Sequence, residues 1–241
     1  MTIKEKLQLD KMGLLAHGPI NIVILGDSVS HAAFSDYQDY ETVYWNVLRK
    51  KLHAQRNYVP INMICSAVGG TMAKDALPRF ERDVLSHHPD LIIVCFGLND
   101  VNGTLEEYLF SLKEIFSRCK AAGSDVIFLT PNMLNTSVDA KNTSPIYLEY
   151  AHKTAEMQNG GKMDTYIYNA ADLAKKMGVK VCDCYSEWKK LSEKENITFR
   201  LANRINHPTE QMHGLFAEKL YEIIMDGETL NKENESTMYR G

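Results

Sequence analysis

No stretch of this 241-residue chain approaches 18 consecutive apolar residues, so nothing in it reads as a membrane-spanning helix. It also lacks a basic block. Its 27 Lys and Arg against 31 Asp and Glu leave a net charge of −4 spread along the chain, which argues against nucleic acid as a partner. Neither a GxGxxG fingerprint nor a Walker-type GxxxxGK occurs, which removes the common nucleotide-phosphate cradles. Cysteine is sparse and odd in number, with five residues (Cys65, Cys95, Cys119, Cys182, Cys184) and no C-x-x-C pair. Most sit in apolar segments as small hydrophobes, and Cys182 and Cys184, two apart, would face opposite sides of a strand. Lys and Asp interrupt the N-terminal MTIKEKLQLDKMGLLAHGP throughout, unlike the apolar core of a signal peptide. Reduced thiols and no export signal lead to the expectation of a cytoplasmic protein.

With 44% apolar and 24% charged residues the composition is that of a globular chain. A chain of this length buries roughly 70–75% of its unfolded surface, so its core needs neither metal nor disulfide staples. No repeat or Pro/Gly/Ser linker divides it, and one domain is expected over residues 19–226. Residues 1–18 would form a short amphipathic helix laid on that domain, and residues 227–241 a polar tail.

Four apolar runs stand out, Ile22–Leu25, Ile61–Cys65, Leu91–Phe96 and Val126–Leu129, with a fifth at Val179–Cys182. Each is short, bounded by turn residues and hardly alternating, as parallel strands buried on both faces are. Between them lie helical patterns. Thr104 and Glu107 form a capping box ahead of Leu105, Tyr108, Leu109, Leu112, Ile115, Phe116 and Cys119, and Gly123 suits the left-handed turn that ends a helix. A last helix is expected from Pro208, with Met212, Leu215, Phe216, Leu220, Ile223 and Ile224 as its buried stripe. Strand and helix in alternation argue for an α/β fold, an open parallel sheet with helices on both sides. Residues 131–163 read as a long, polar, irregular insertion ending in Gly160-Gly161.

Ligands of such a sheet bind beyond the carboxyl ends of the strands. After the first run comes Gly26-Asp27-Ser28, where a serine would project from the sheet edge near a helix N-terminus that favours developing negative charge; the same tripeptide is also ordinary turn chemistry. After the second comes Ser66-Ala67-Val68-Gly69-Gly70-Thr71, whose glycines let backbone N–H groups approach a ligand. After the third comes Gly97-Leu98-Asn99-Asp100, where an asparagine amide can donate to an oxyanion while staying neutral. Ahead of the last helix stands Asn206-His207-Pro208, a histidine on a stiff element and the usual general base near neutral pH. His213, six residues on, is a poor chelating partner for His207, so no metal pair is expected. Nucleophile, oxyanion donors and proton shuttle together are the equipment of acyl transfer.

In these blocks the chain resembles the SGNH hydrolases, the GDSL-like esterase and lipase superfamily, from about Asn21 to Ile224. Gly26-Asp27-Ser28 matches the first block, Gly70 (with Gly69 a close second choice) the second, Gly97-Leu98-Asn99-Asp100 the third and His207-Pro208 the last. The resemblance implies a three-layer α/β/α sandwich on a flavodoxin-like five-stranded parallel sheet, and ester hydrolysis without a cofactor. Ser28 would attack the carbonyl carbon, His207 would take the proton, and the Ser28 N–H, the Gly70 N–H and the Asn99 side chain would form the oxyanion hole. The family's Asp three residues before the histidine is here Arg204, a cation that cannot accept the imidazole proton. Asn203 is the favoured substitute, with Asn206, a backbone carbonyl or Asp183 as alternatives.

The expected function is a serine esterase removing small acyl groups, acetyl foremost, from carbohydrates. Tyr147, Tyr150, Tyr166, Asn132 and Asn135 in and near the insertion are candidate sugar contacts. A lysophospholipase or thioesterase of the same superfamily, a catalytically silent binding protein on this scaffold and a flavin-binding flavodoxin-like protein are the alternatives. The expected partner is a small-molecule ester rather than a nucleic acid or a membrane, and a homo-oligomer is compatible with the sequence.

Overall fold

The apolar runs become five strands in a computed structural model that describes residues 1–225: β1 (Ile20–Gly26), β2 (Ile61–Cys65), β3 (Leu91–Cys95), β4 (Asp125–Leu129) and β5 (Lys180–Cys182). The polar tail expected over residues 227–241 lies outside the described residues. All pairings are parallel, in the order β2-β1-β3-β4-β5. The register sets Ile24 beside Ile93, and Ile93 beside Ile127. Every residue of β3 is buried, as the unbroken Leu-Ile-Ile-Val-Cys run requires of a central strand covered on both faces. Each such aliphatic side chain contributes about 1.5–3 kcal/mol by leaving water.

The helices of the described residues are α1 (Ile3–Lys6), α2 (Lys11–His17), α3 (Tyr44–Gln55), α4 (Ala73–Ala76), α5 (Phe80–Asp83), α6 (Leu105–Ala121), α7 (Leu148–Asn159), α8 (Lys162–Lys176), α9 (Cys184–Ser192) and α10 (Glu210–Met225). Helices α3, α10, α9 and α1 pack together as one layer, and α4, α6, α8 and α7 as the other. The result is a three-layer α/β/α sandwich. Because the strand order reverses between β1 and β3, their carboxyl ends flank the switch point where such sheets open a crevice.

Several local expectations change. Residues 1–18 form two short helices rather than one; Ile3 and Leu7 reach the core, while α2 buries no residue fully. Thr104 caps α6 by accepting from the Glu107 N–H, but the Glu107 carboxylate pairs with Lys74 instead of closing the box. Pro208 stays extended in a bridge to Leu201, so the last helix starts at Glu210. Helix α7 occupies much of the segment expected to be irregular. Its buried stripe is Ala151, Thr154, Ala155 and Gln158, too polar to stand out by hydropathy. Gly161, at φ 75°, then separates α7 from α8. Strand β5 ends at Cys182 and Asp183 caps α9, which brings Cys182 Sγ and Cys184 Sγ within 3.9 Å on the same side instead of opposite ones.

Candidate active site

Ser28 follows β1 in a single helical turn, in which the His31 N–H donates to the Asp27 carbonyl (2.9 Å) and the Ala33 N–H to the Ser28 carbonyl (2.9 Å). The turn is pinned from below, because the Trp45 indole N–H donates to the Ser30 carbonyl (2.9 Å) and Ser30 Oγ meets Tyr44 Oη at 2.8 Å. Ala32 then takes the left-handed conformation at φ 61°, and a short hairpin follows in which Ala33 bridges Gln38 and the Phe34 N–H donates to the Tyr37 carbonyl (3.0 Å). This hairpin turns the Phe34 carbonyl toward His207.

His207 Nε2 lies 2.9 Å from Ser28 Oγ, and His207 Nδ1 lies 2.7 Å from the Phe34 carbonyl oxygen. A carbonyl can only accept, so Nδ1 carries the ring proton and Nε2 presents its lone pair to the serine hydroxyl. Burial holds the imidazole below its ordinary pKa, with the Phe34 carbonyl opposing in part. The ring is therefore neutral at neutral pH, the form in which it can take a proton.

The orienting acceptor expected at Asn203 is thus the Phe34 carbonyl. Asn203 Oδ1 accepts the backbone N–H groups of Ile205, Asn206 and His207, each at 3.0 Å, and its amide donates to Asn206 Oδ1 (2.9 Å). Three donors saturate that oxygen, so Asn203 shapes the main chain that delivers His207 without touching the ring. Asn206 is fixed further by the Asn132 amide, which donates to its carbonyl (2.8 Å). Arg204, left-handed at φ 62°, turns its guanidinium away to the Leu201 carbonyl (2.7 Å), Asp139 and the Phe199 ring. Asp183 is occupied at the start of α9 by the Ser186 N–H and hydroxyl.

The two remaining loops are tied to each other. The Asn99 amide donates to the Thr71 carbonyl (3.0 Å) and, among the described residues, has no partner for its second N–H, while Asp100 Oδ1 accepts the Ala73 N–H (2.8 Å). Gly97 is required where it stands. At φ 143° a side chain is strained, and a Cβ would lie 2.6 Å from Ile167 Cδ1 and 3.1 Å from Tyr108 Oη. Of the two glycines after β2, Gly69 faces the serine, its Cβ position lying 3.7 Å from Ser28 Cβ. Gly70, the expected oxyanion residue, sits at φ 77° with nothing within 4 Å of that position.

Two carboxyls beside the site were not singled out by the sequence. Asp27 and Asp100 are buried, each with one oxygen that has no partner among the described residues, and burial raises both to a pKa of about 7, with repulsion from Asp100 adding to the rise at Asp27. Below the Phe34 hairpin lies His213, fully buried, its Nδ1 accepting the Tyr44 N–H (3.2 Å) and its ring tilted against Phe34. Burial, aided by the nearby His207, pushes its pKa down to about 3. Of the candidate sugar contacts, Asn132 and Asn135 are buried in backbone hydrogen bonds, and Tyr166 Oη donates to the Gly103 carbonyl. Tyr150 meets Asn102 and Tyr147 is exposed. Among the described residues no group of three or more His, Cys, Asp or Glu side chains is arranged to hold a metal ion, and no helix is long and apolar enough to cross a membrane.

The fold is similar to that of Axe2, an acetylxylan esterase from Geobacillus stearothermophilus, with a TM-score of 0.67 at 18% identity over 85% of this chain and 94% of the other. LAE5, an alpha/beta hydrolase enzyme from the metagenome of Lake Arreo, gives 0.67 at 19% identity over 86% and 95%. The uncharacterized lipoprotein YqeF of Bacillus subtilis is 33% identical over 90 residues, 36% of this chain and 35% of that protein, so the match spans about a third of the curated relative's length. The pattern of the GDSL-like Lipase/Acylhydrolase family matches residues 24–215, a span that runs from β1 through the Ser28 turn, both glycine-bearing loops and His207 into α10. On that match the chain belongs to the GDSL-like Lipase/Acylhydrolase family.

Proposed function

We propose that this protein is a carboxylic ester hydrolase that removes small acyl groups, acetyl foremost, from carbohydrate alcohols through an acyl-enzyme on Ser28. The observation that carries the reading is the relay from the Phe34 carbonyl through His207 to Ser28, with contacts of 2.7 and 2.9 Å. In the proposed reaction Ser28 Oγ bonds to the ester carbon as its proton passes to His207 Nε2. The carbonyl oxygen becomes an oxyanion, received by the Ser28 N–H, the second N–H of the Asn99 amide and a glycine N–H of the second loop. Gly70, or Gly69 beside it, supplies that last N–H; neither donates to another backbone carbonyl among the described residues. Collapse breaks the bond to the alcohol oxygen, which leaves with the proton from imidazolium; water, deprotonated by the same imidazole, then releases the acid.

A neutral carbonyl selects the needed tautomer but does not neutralise imidazolium as a carboxylate would, so the pair works without that part of the stabilisation. Structures described as catalytic mutants of Axe2 replace a serine, an aspartate and a histidine, whereas this chain has Arg204 three residues before its histidine. The acetylated-sugar preference draws on that esterase's description and on the open mouth at Gly69 and Gly70, both exposed. We take residues 19–226 as the hydrolase domain with residues 1–18 packed on it. The cytoplasm is the proposed location, because all five cysteines are free thiols.

A fluorophosphonate probe followed by mass spectrometry tests the assignment: Ser28 is labelled in the wild type and Ser28→Ala is silent. His207→Ala lowers kcat at least about 100-fold, as loss of a general base does. An unlabelled, well-folded wild type refutes the hydrolase reading. Esters of graded acyl length, with acyl-thioesters beside them, separate the acetylesterase from a lysophospholipase or thioesterase.

A further inference from the structure

We propose that His31 is the alcohol-side binding residue of this hydrolase, hydrogen-bonding a hydroxyl that neighbours the ester in a polyol or sugar substrate. The proposal rests on Ser28 being the nucleophile. One turn after Ser28, the His31 backbone is fixed by its hydrogen bond to Asp27 and by the left-handed Ala32 that follows. Its Nδ1 and Ser28 Cβ each lie 3.7 Å from one point, where residue 69 would carry a Cβ were it not glycine. Gly69 leaves that point unfilled, within reach of both the imidazole and the nucleophile's side chain. Gly69 itself is exposed.

The ring is held but unsatisfied. Tyr40 stands against it at 6.3 Å between centroids, and Trp45 backs Tyr40 at 6.3 Å. Yet among the described residues no protein group hydrogen-bonds either His31 ring nitrogen, in contrast to His207 and His213, both of which are bonded. An imidazole with one donor and one acceptor free, at the same gap as the nucleophile's side chain, is matched to an alcohol carrying a second hydroxyl. A simple alkyl ester offers it nothing. Gly69 keeps the space open by lacking a side chain, since its Cβ would meet only ordinary contacts and its backbone is outside the left-handed region.

The test compares glycerol 1-acetate with propyl acetate, which share the acyl group and differ in the hydroxyls. Wild type should favour glycerol 1-acetate, and His31→Ala should shrink that ratio about three- to tenfold, chiefly through KM, as expected for one neutral hydrogen bond. His31→Gln, which keeps a donor and an acceptor, should recover part of it. Gly69→Ala should fold with an unchanged Tm and lose turnover of both esters. Equal losses on both esters in His31→Ala, an unchanged ratio, or full activity in Gly69→Ala would overturn the proposal. A wild type inert toward both esters and toward the fluorophosphonate would remove the Ser28 assignment itself, and the role of His31 with it.

Discussion

The proton chemistry of the site is set by which groups are buried. His207 must be neutral to accept the serine proton, and burial holds its pKa below the ordinary value of about 6.5. The acid limb of kcat/KM against pH should therefore have its midpoint below 6.5, with a plateau above it; a limb centred above 7 would show that a carboxylate, not the Phe34 carbonyl, faces the ring. Asp27 and Asp100 carry the opposite shift. Both titrate at about 7 in the folded chain, against 3.8 for a free aspartate, so between pH 4 and 7 the folded state binds more protons than the unfolded one. Their contribution to stability is complete below pH 4 and lost as pH rises through 7. Asp27→Asn and Asp100→Asn, each keeping the oxygen that accepts a backbone N–H, should raise Tm at pH 8 and change it little at pH 4.5. A Tm that shifts equally at both pH values would show that neither carboxyl titrates between them, against the raised pKa values.

Strands, and the helix after β3, announce themselves because their burial is made of Ile, Val, Leu and Phe. Ile61–Cys65 is legible to the residue, and α6 runs only two residues beyond its pattern. Helix α7 is silent because Ala, Thr and Gln fill its buried face, with Gln158 satisfied by Tyr185 and the Leu134 N–H. The sequence could nominate Ser28, Asn99 and His207 because a side-chain type marks each candidate, and the structure brings Ser28 and His207 within 2.9 Å. The candidate site was illegible at Phe34, because every residue has a carbonyl and only the hairpin's conformation decides which one meets the imidazole. Choosing between Gly69 and Gly70 likewise turns on where each backbone N–H points, which no residue type announces. Turn and helix are coupled at Gly97, where α8 lays Ile167 directly on the backbone. Gly97→Ala should cost about 1–3 kcal/mol in a denaturant melt by overpacking, and lower kcat by displacing Asn99. Adding Ile167→Val, which removes the obstructing methyl, should recover part of the stability; no recovery would place the loss in the backbone alone.

Across the whole molecule, chemistry and anchorage occupy opposite ends of the strands. At the amino ends, remote from Ser28, the Lys6 ammonium of α1 reaches both Asp90 oxygens (2.8 and 2.9 Å) and the Pro19 carbonyl (2.8 Å), while Asp90 also accepts the Asn21 N–H. This clasp ties the N-terminal helix to the starts of β1 and β3. Lys6→Ala should lower stability by about 1.5–3 kcal/mol, as loss of a hydrogen-bonded charge does, and leave kcat untouched. A change in kcat would show that the strands transmit strain from their amino to their carboxyl ends.

An acceptor built from main chain has an evolutionary corollary. No single codon change can delete the oxygen that steers His207, since any residue at position 34 supplies one. What can delete it is a cut or an insertion in the exposed stretch Ser35–Gln38, which would silence the enzyme while leaving every side chain named in its chemistry intact.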